Sequence, residues 1–139
     1  MSRRRQAREL AFRAAYQADV TGDPVERCLQ EILEDLEEEA DPEAREFAGA
    51  LVSTLALHQP EIDTVVSRIA KNWSLARMAA TDRSVIRLAA AELLYHVDVP
   101  VRVALDEAIE IAKKYGMETS GAFVNGILDR LAHDVRSAE

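Results

Sequence analysis

Residues 101–131 read VRVALDEAIEIAKKYGMETSGAFVNGILDRL. The first half is a helix by composition and by its ends. Asp106 and Glu107 fall in its first turns, where the helix dipole favours acids. Glu110 and Lys114 form a favourable i, i+4 pair. Gly116 stops it. Thr119 or Ser120 then starts another helix, with Phe123, Val124, Ile127, Leu128 and Leu131 on its faces. Upstream, Pro100 in DVPVRV fixes the entry angle. Its β-branched neighbours would allow a brief extended piece, but no second strand is available to pair with it.

The same punctuation recurs towards the N-terminus. A first helix is expected over about 2–19, with Leu10, Ala11, Ala14, Ala15 and Ala18 as its apolar strip and Phe12 and Tyr16 beside it. TGDP ends it. Asp23 is a good N-cap and Pro24 a good first helical residue for a second helix, carrying Val25, Leu29, Ile32, Leu33 and Leu36. Asp41-Pro42 repeats that signal, and Ala44, Phe47, Ala48, Leu51, Val52 and Leu55 follow at core spacing. A fourth helix is expected from about Pro60, closed by Trp73 as a packing residue. After SLARMAA, Thr81 is the expected cap of a fifth, with Val85, Ile86, Leu88, Ala89 and Leu93 facing inward.

These elements predict an all-α fold: a compact bundle of about seven helices in one domain over 1–139. Two small helical subdomains sharing a core, with a seam near 73–80, would satisfy the same pattern. Hydrophobic residues make up 48% of the 139, enough for a core, and aromatics only 5%, which favours helix over sheet.

Function classes fall away in turn. The single cysteine, Cys28, can form neither an internal disulfide nor a cysteine zinc site, and reads as a small half-buried apolar residue. No phosphate-binding, dinucleotide-binding or nucleophile-elbow motif is present. His58, His96 and His133 lie far apart without ligand-spaced partners, so no metal, cofactor or catalytic residue is expected. Arg8, Glu9 and Arg13 interrupt what would be the apolar run of a secretory signal, and no run is long enough to span a bilayer. A cytoplasmic binding protein is expected.

The charge is segregated. The formal net charge is −8, yet residues 1–13 hold five arginines against one acid. Residues 23–46 hold eleven acids against two arginines, and residues 68–87 hold five cations against one acid. Basic clusters attract phosphates, and exposed rings stack on unpaired bases. Arg4 and Arg8 share a helix face, as do Arg83 and Arg87, and Tyr16 and Phe123 are candidate stacking residues. The plain alternatives are a solubilising tail for Arg3 to Arg5 and core packing for the two rings.

Three stretches narrow the choice: RRRQARELAFRAAYQADV (3–20), TDRSVIRLAAAELLY (81–95) and VPVRVALDEAIEIAKKYGMETSGAFVNGILDRL (99–131). Together they resemble the NusB family of transcription antitermination factors, in the same order and over essentially the whole chain. The resemblance implies a non-enzymatic, metal-free helical protein. It implies binding of the boxA element of ribosomal RNA leader transcripts together with NusE, a small-subunit ribosomal protein, within an antitermination complex on RNA polymerase. It allows a monomer or a homodimer. The family's motifs place RNA contacts at Arg3, Arg4, Arg5, Arg8, Tyr16, Arg83, Arg87, Glu118, Thr119, Ser120, Phe123 and Asn125. Thr119 stands where the family commonly has an acid, and Gly121-Ala122 replace longer residues, so one or two family contacts are expected to be missing. Asn125 reads equally as a brace of the last helix, and Glu92 as a hydrogen-bond partner inside the fold. Two alternatives use the same residues: an RNA-free protein-interaction module, and an RNA-holding domain like those fused to RNA cytosine methyltransferases. The chain lacks the cofactor-binding motif expected of the latter enzymes.

Overall fold

The structure, a computed structural model, describes residues 2–136. Among them are six α-helices and no strand: α1 (Arg3–Thr21), α2 (Val25–Glu34), α3 (Pro42–Ile69), α4 (Ala80–Tyr95), α5 (Val101–Tyr115) and α6 (Ser120–Val135), with a 3-10 turn at Leu75–Arg77.

The helix ends follow from local chemistry. Ser2 caps α1 by accepting from the Arg5 N–H at 3.0 Å. Gly22, at φ +82°, closes the helix in the left-handed conformation that glycine adopts most cheaply. Asp41 caps α3 through the N–H groups of Glu43 and Ala44, and Pro42 opens it. Two expected starts shift. Pro24, rather than Asp23, occupies the N-cap of α2. Ala79 precedes α4, and Thr81 lies within its first turn without capping it. The start expected at Thr119 or Ser120 holds: α6 begins at Ser120 with Thr119 at its N-cap, though the Thr119 side chain makes no cap hydrogen bond. Gly116 ends α5 at φ −95°, so space rather than handedness requires it: a Cβ there would lie 2.5 Å from Ser120 Oγ and 2.7 Å from Ala112 O.

The expected third and fourth helices are one. α3 runs 28 residues through Pro60. An internal proline forfeits one backbone hydrogen bond and costs about 3 kcal/mol. Here Pro60 and Ala56, whose carbonyl loses its donor, both lie on the exposed side. The buried face meanwhile keeps its register across the proline: Leu51, Val52 and Leu55 continue as Ile62 and Val66. Burying two further large side chains, each worth about 1.5–3 kcal/mol, outweighs the loss.

All six helices contribute to the buried core. Leu51, Ile62, Ile86, Leu93, Leu105, Leu128 and Leu131 are its largest fully buried side chains. Alanines 7, 11, 14, 90 and 91 are buried between them and let the helices approach closely. Cys28 is wholly buried, not half-buried, and burial pushes its thiol pKa up. Arg136 closes the far end. Its guanidinium donates to the carbonyls of Glu92, Leu93, His96 and Val99 at the end of α4 and in the following turn, where Glu92 and His96 also accept the backbone N–H groups of His96 and Val99.

Candidate nucleic-acid interface

The first turn of α1 projects three arginines, each with a different neighbour. Arg3 pairs with Glu43 at 2.8 Å and with Asp41 at 3.4 Å. Arg5 makes a two-pronged pair with Glu107, at 3.0 and 3.2 Å. Arg4 has no ion pair among the described residues; its guanidinium lies 4.1 Å from the centre of the Phe47 ring. The acidic segment thus folds back onto the basic turn and partly neutralises Arg3.

One turn further, Arg8 is only 4% exposed. Its Nε reaches both carboxylate oxygens of Glu92, and Nη2 bonds Oε2. Expected as an RNA contact, it is instead committed to a buried carboxylate, which fits the internal role expected of Glu92. Arg83 and Arg87 are also committed. Both reach Asp19, Arg87 also grips Asp63 through two bonds, and Arg83 also holds the carbonyls of Leu75 and Met78. Burial pushes the Asp19 carboxyl up, but the hydrogen bonds and charges of the two arginines outweigh it and hold the group below its ordinary range.

Aromatic side chains collect in two places. Tyr16, partly exposed, packs tilted on Phe12 at 6.3 Å, and Phe12 packs on Tyr115 at 5.0 Å. These rings, with Arg13, Val20, Ile32 and Thr81, line a largely apolar groove of about 500 Å³. The second place is the start of α6. Phe123 meets Trp73 edge to face at 5.7 Å. Trp73 is 58% exposed, so it does not close a helix by burial; it stands in a loop with Lys71 and Arg77, both exposed. Glu118, Thr119 and Asn125 are exposed on the same helix start, and the Asn125 amide makes no hydrogen bond among the described residues, which leaves its bracing role without a partner. Ser120 is buried and accepts from the Met117 N–H at 2.9 Å.

The structure therefore separates the twelve expected contacts. Arg3, Arg4, Arg5, Tyr16, Glu118, Thr119, Phe123 and Asn125 stand at or near the surface. Arg8, Arg83, Arg87 and Ser120 are engaged within the fold. Among the described residues, no hydrogen bond, ion pair or ring contact joins the arginine turn to Tyr16, Phe123 or Asn125. Trp73, Lys71 and Arg77 were missed as a group, although the charge count over 68–87 had marked their segment. Among the described residues no cluster of His, Cys, Asp and Glu could hold a metal, and no helix is long and apolar enough to cross a membrane.

Fold and surface define a small all-helical binding protein whose exposed cations and paired rings suit a nucleic-acid strand. Comparison with known proteins makes the class specific. The NusB family model matches residues 5–133. The transcription antitermination protein NusB of Anaeromyxobacter dehalogenans (strain 2CP-1) is 46% identical over 131 residues, covering 94% of this chain and 91% of that protein. The corresponding protein of Geobacter sulfurreducens is 44% identical, covering 95% of each. Among solved structures, T. maritima NusB superposes with a TM-score of 0.89 at 41% identity, over 99% of this chain and 96% of that one. A structure of antitermination factors NusB and NusE in complex with double-stranded RNA gives 0.88 at 29% identity, over 96% and 98%. The chain belongs to the NusB family.

Proposed function

We propose that this chain is a transcription antitermination factor that binds a boxA-type RNA strand together with a NusE-type ribosomal protein, within a complex on RNA polymerase. It acts by binding and performs no catalysis. The observation that carries the reading is its near full-length match to antitermination proteins, one of them seen with both NusE and RNA. The surface supports it and favours an unpaired strand, because the exposed edges and faces of Trp73, Phe123 and Tyr16 stack only on bases free of a duplex. Arg3, Arg4 and Arg5 are the phosphate contacts. Glu118, Thr119 and Asn125 supply polar groups beside Phe123, and Thr119 adds no negative charge next to the strand.

The test is titration of labelled boxA RNA, a scrambled strand and a duplex, each with and without the NusE-type protein. Binding of the boxA strand is expected to be tightest, to strengthen with the partner, and to weaken steeply with salt. Equal affinity for the scrambled strand, or no effect of the partner, would refute the assignment. The apolar groove beside Tyr16 supports a second reading for that side chain, as part of a protein-docking surface. Pull-down of the partner after Tyr16→Ala separates the two uses.

A further inference from the structure

The charged side chains of α4 do not end at the surface. Arg83 is 16% exposed, and each of its nitrogens has a partner. Nε lies 3.2 and 3.1 Å from the two Asp19 oxygens, and Nη2 lies 2.6 Å from Oδ2. Nη1 donates to Leu75 O at 2.8 Å and to Met78 O at 3.0 Å. Those carbonyls flank the 3-10 turn Leu75–Arg77, whose own backbone bonds are Arg77 N–H to Ser74 O and Met78 N–H to Leu75 O. Such a turn is short and its hydrogen bonds are poorly aligned, so it depends on outside support. Arg83 provides that support at both ends. Asp19, the other anchor, belongs to α1, and Arg87 ties the same carboxylate to Asp63 on α3.

We propose that Arg83 is a positioning residue of the RNA surface: seated on Asp19, it clamps the Leu75–Arg77 turn and so fixes Trp73 and Arg77 relative to α1 and Phe123. The inference rests on the RNA-binding reading above, but it assigns Arg83 an indirect part. A planar guanidinium is needed, because its Nε–Nη2 edge takes the carboxylate while Nη1 reaches two carbonyls. A lysine ammonium is a single point and cannot span both. Without the clamp the turn loosens, Trp73 leaves its edge-to-face seat on Phe123, and the rings no longer present one surface to a strand.

The chain has a single tryptophan, so its fluorescence reports this loop directly. Arg83→Met keeps the length and much of the volume and removes the clamp; Arg83→Lys restores charge without the fork. Both variants are compared with wild type for helix content, for acrylamide quenching of Trp73, and for RNA affinity over a range of salt concentrations. Both are expected to keep their helix content, to show stronger quenching, and to lose about five- to tenfold in RNA affinity. The salt dependence is expected to stay as in wild type. A direct phosphate contact behaves otherwise: Arg83→Met would lower the slope by about 0.7 for a single strand, and Arg83→Lys would keep most of the affinity. Either result overturns the inference, as does unchanged quenching in both variants. Should Arg83→Met lose its helices, Arg83→Lys alone decides, through quenching and affinity. A wild type that bound no RNA would overturn the functional reading, and is told apart because Trp73 quenching still tests the clamp.

Discussion

Replacing Arg8 by Met will cost this protein more than removing any of the surface arginines. The Arg8 and Glu92 side chains are 5% and 4% exposed and meet through three contacts. Deleting one member strands the other charge in the core, a penalty of about 3–5 kcal/mol. A protein of this size holds together by roughly 7–20 kcal/mol, so the variant still folds but with much of its margin gone. With a urea slope of about 2 kcal/mol/M, the midpoint should fall by roughly 2 M. Glu92→Met should do the same. The double variant removes both charges, and well-packed apolar replacements of a buried pair are often neutral, so it should recover most of the loss. A double-mutant cycle by urea unfolding measures the coupling. RNA titration of the double variant supplies the second readout: its affinity and salt slope should match wild type, because Arg8 does not reach the surface. If the double variant were as unstable as the sum of the singles, the two side chains would not be acting as a pair. If it folded well but lost RNA affinity with a shallower salt slope, Arg8 would be a phosphate contact after all.

Three further outcomes follow from single contacts. Glu43→Gln removes the shorter of the two surface ion pairs of Arg3, leaving Asp41 at 3.4 Å, and should raise RNA affinity by about two- to fivefold at low salt, the gain fading as salt rises; unchanged affinity at low salt would show that the pair does not compete with RNA. Asp19→Asn should destabilise the fold at neutral pH. Because the folded-state pKa of Asp19 is depressed, its contribution is present above the unfolded value of about 3.9 and is lost as pH falls through the lower folded value. Wild-type and variant urea midpoints should therefore stay apart at pH 5 to 7 and converge only below about pH 4, whereas convergence already at pH 6 would contradict the ion-pair account. Gly116→Ala should cost about 1–3 kcal/mol in thermal unfolding, since its Cβ would press on Ser120 Oγ and Ala112 O; a neutral result would mean that the α5–α6 corner gives way freely.

Helix periodicity and caps made most of the fold legible, because an apolar stripe and an Asp-Pro start are local signals. Pro60 misled for a physical reason. A proline is a strong local breaker, but the register of Leu55 with Ile62 and Val66 is a non-local fact about where the core lies, and burial decided the matter. Thr81 failed as a cap for a similar reason: the chain was already helical one residue earlier. At the interface, sequence identified which residues are cationic but not which cations have partners. Arg8 and Arg83 look like Arg4 in a motif; only the approach of Glu92 and Asp19, 84 and 64 residues away, removes them from the surface. Trp73 was read as packing because large rings usually are buried, and nothing local announces that Phe123 arrives beside it from 50 residues further along the chain.

The unbroken α3 also acts as a ruler. Its Asp41 end meets Arg3, and its Phe47 lies against Arg4. Its far end feeds the loop that carries Trp73. At 1.5 Å per residue, 28 helical residues make a rod about 40 Å long. One stiff element therefore ties the charged turn to the loop that carries Trp73. A ligand too short to reach both surfaces can occupy one at a time, while a longer one turns its second contact into an intramolecular event. Affinity should consequently rise with strand length in a step rather than a slope, and the position of the step measures the distance between the two surfaces.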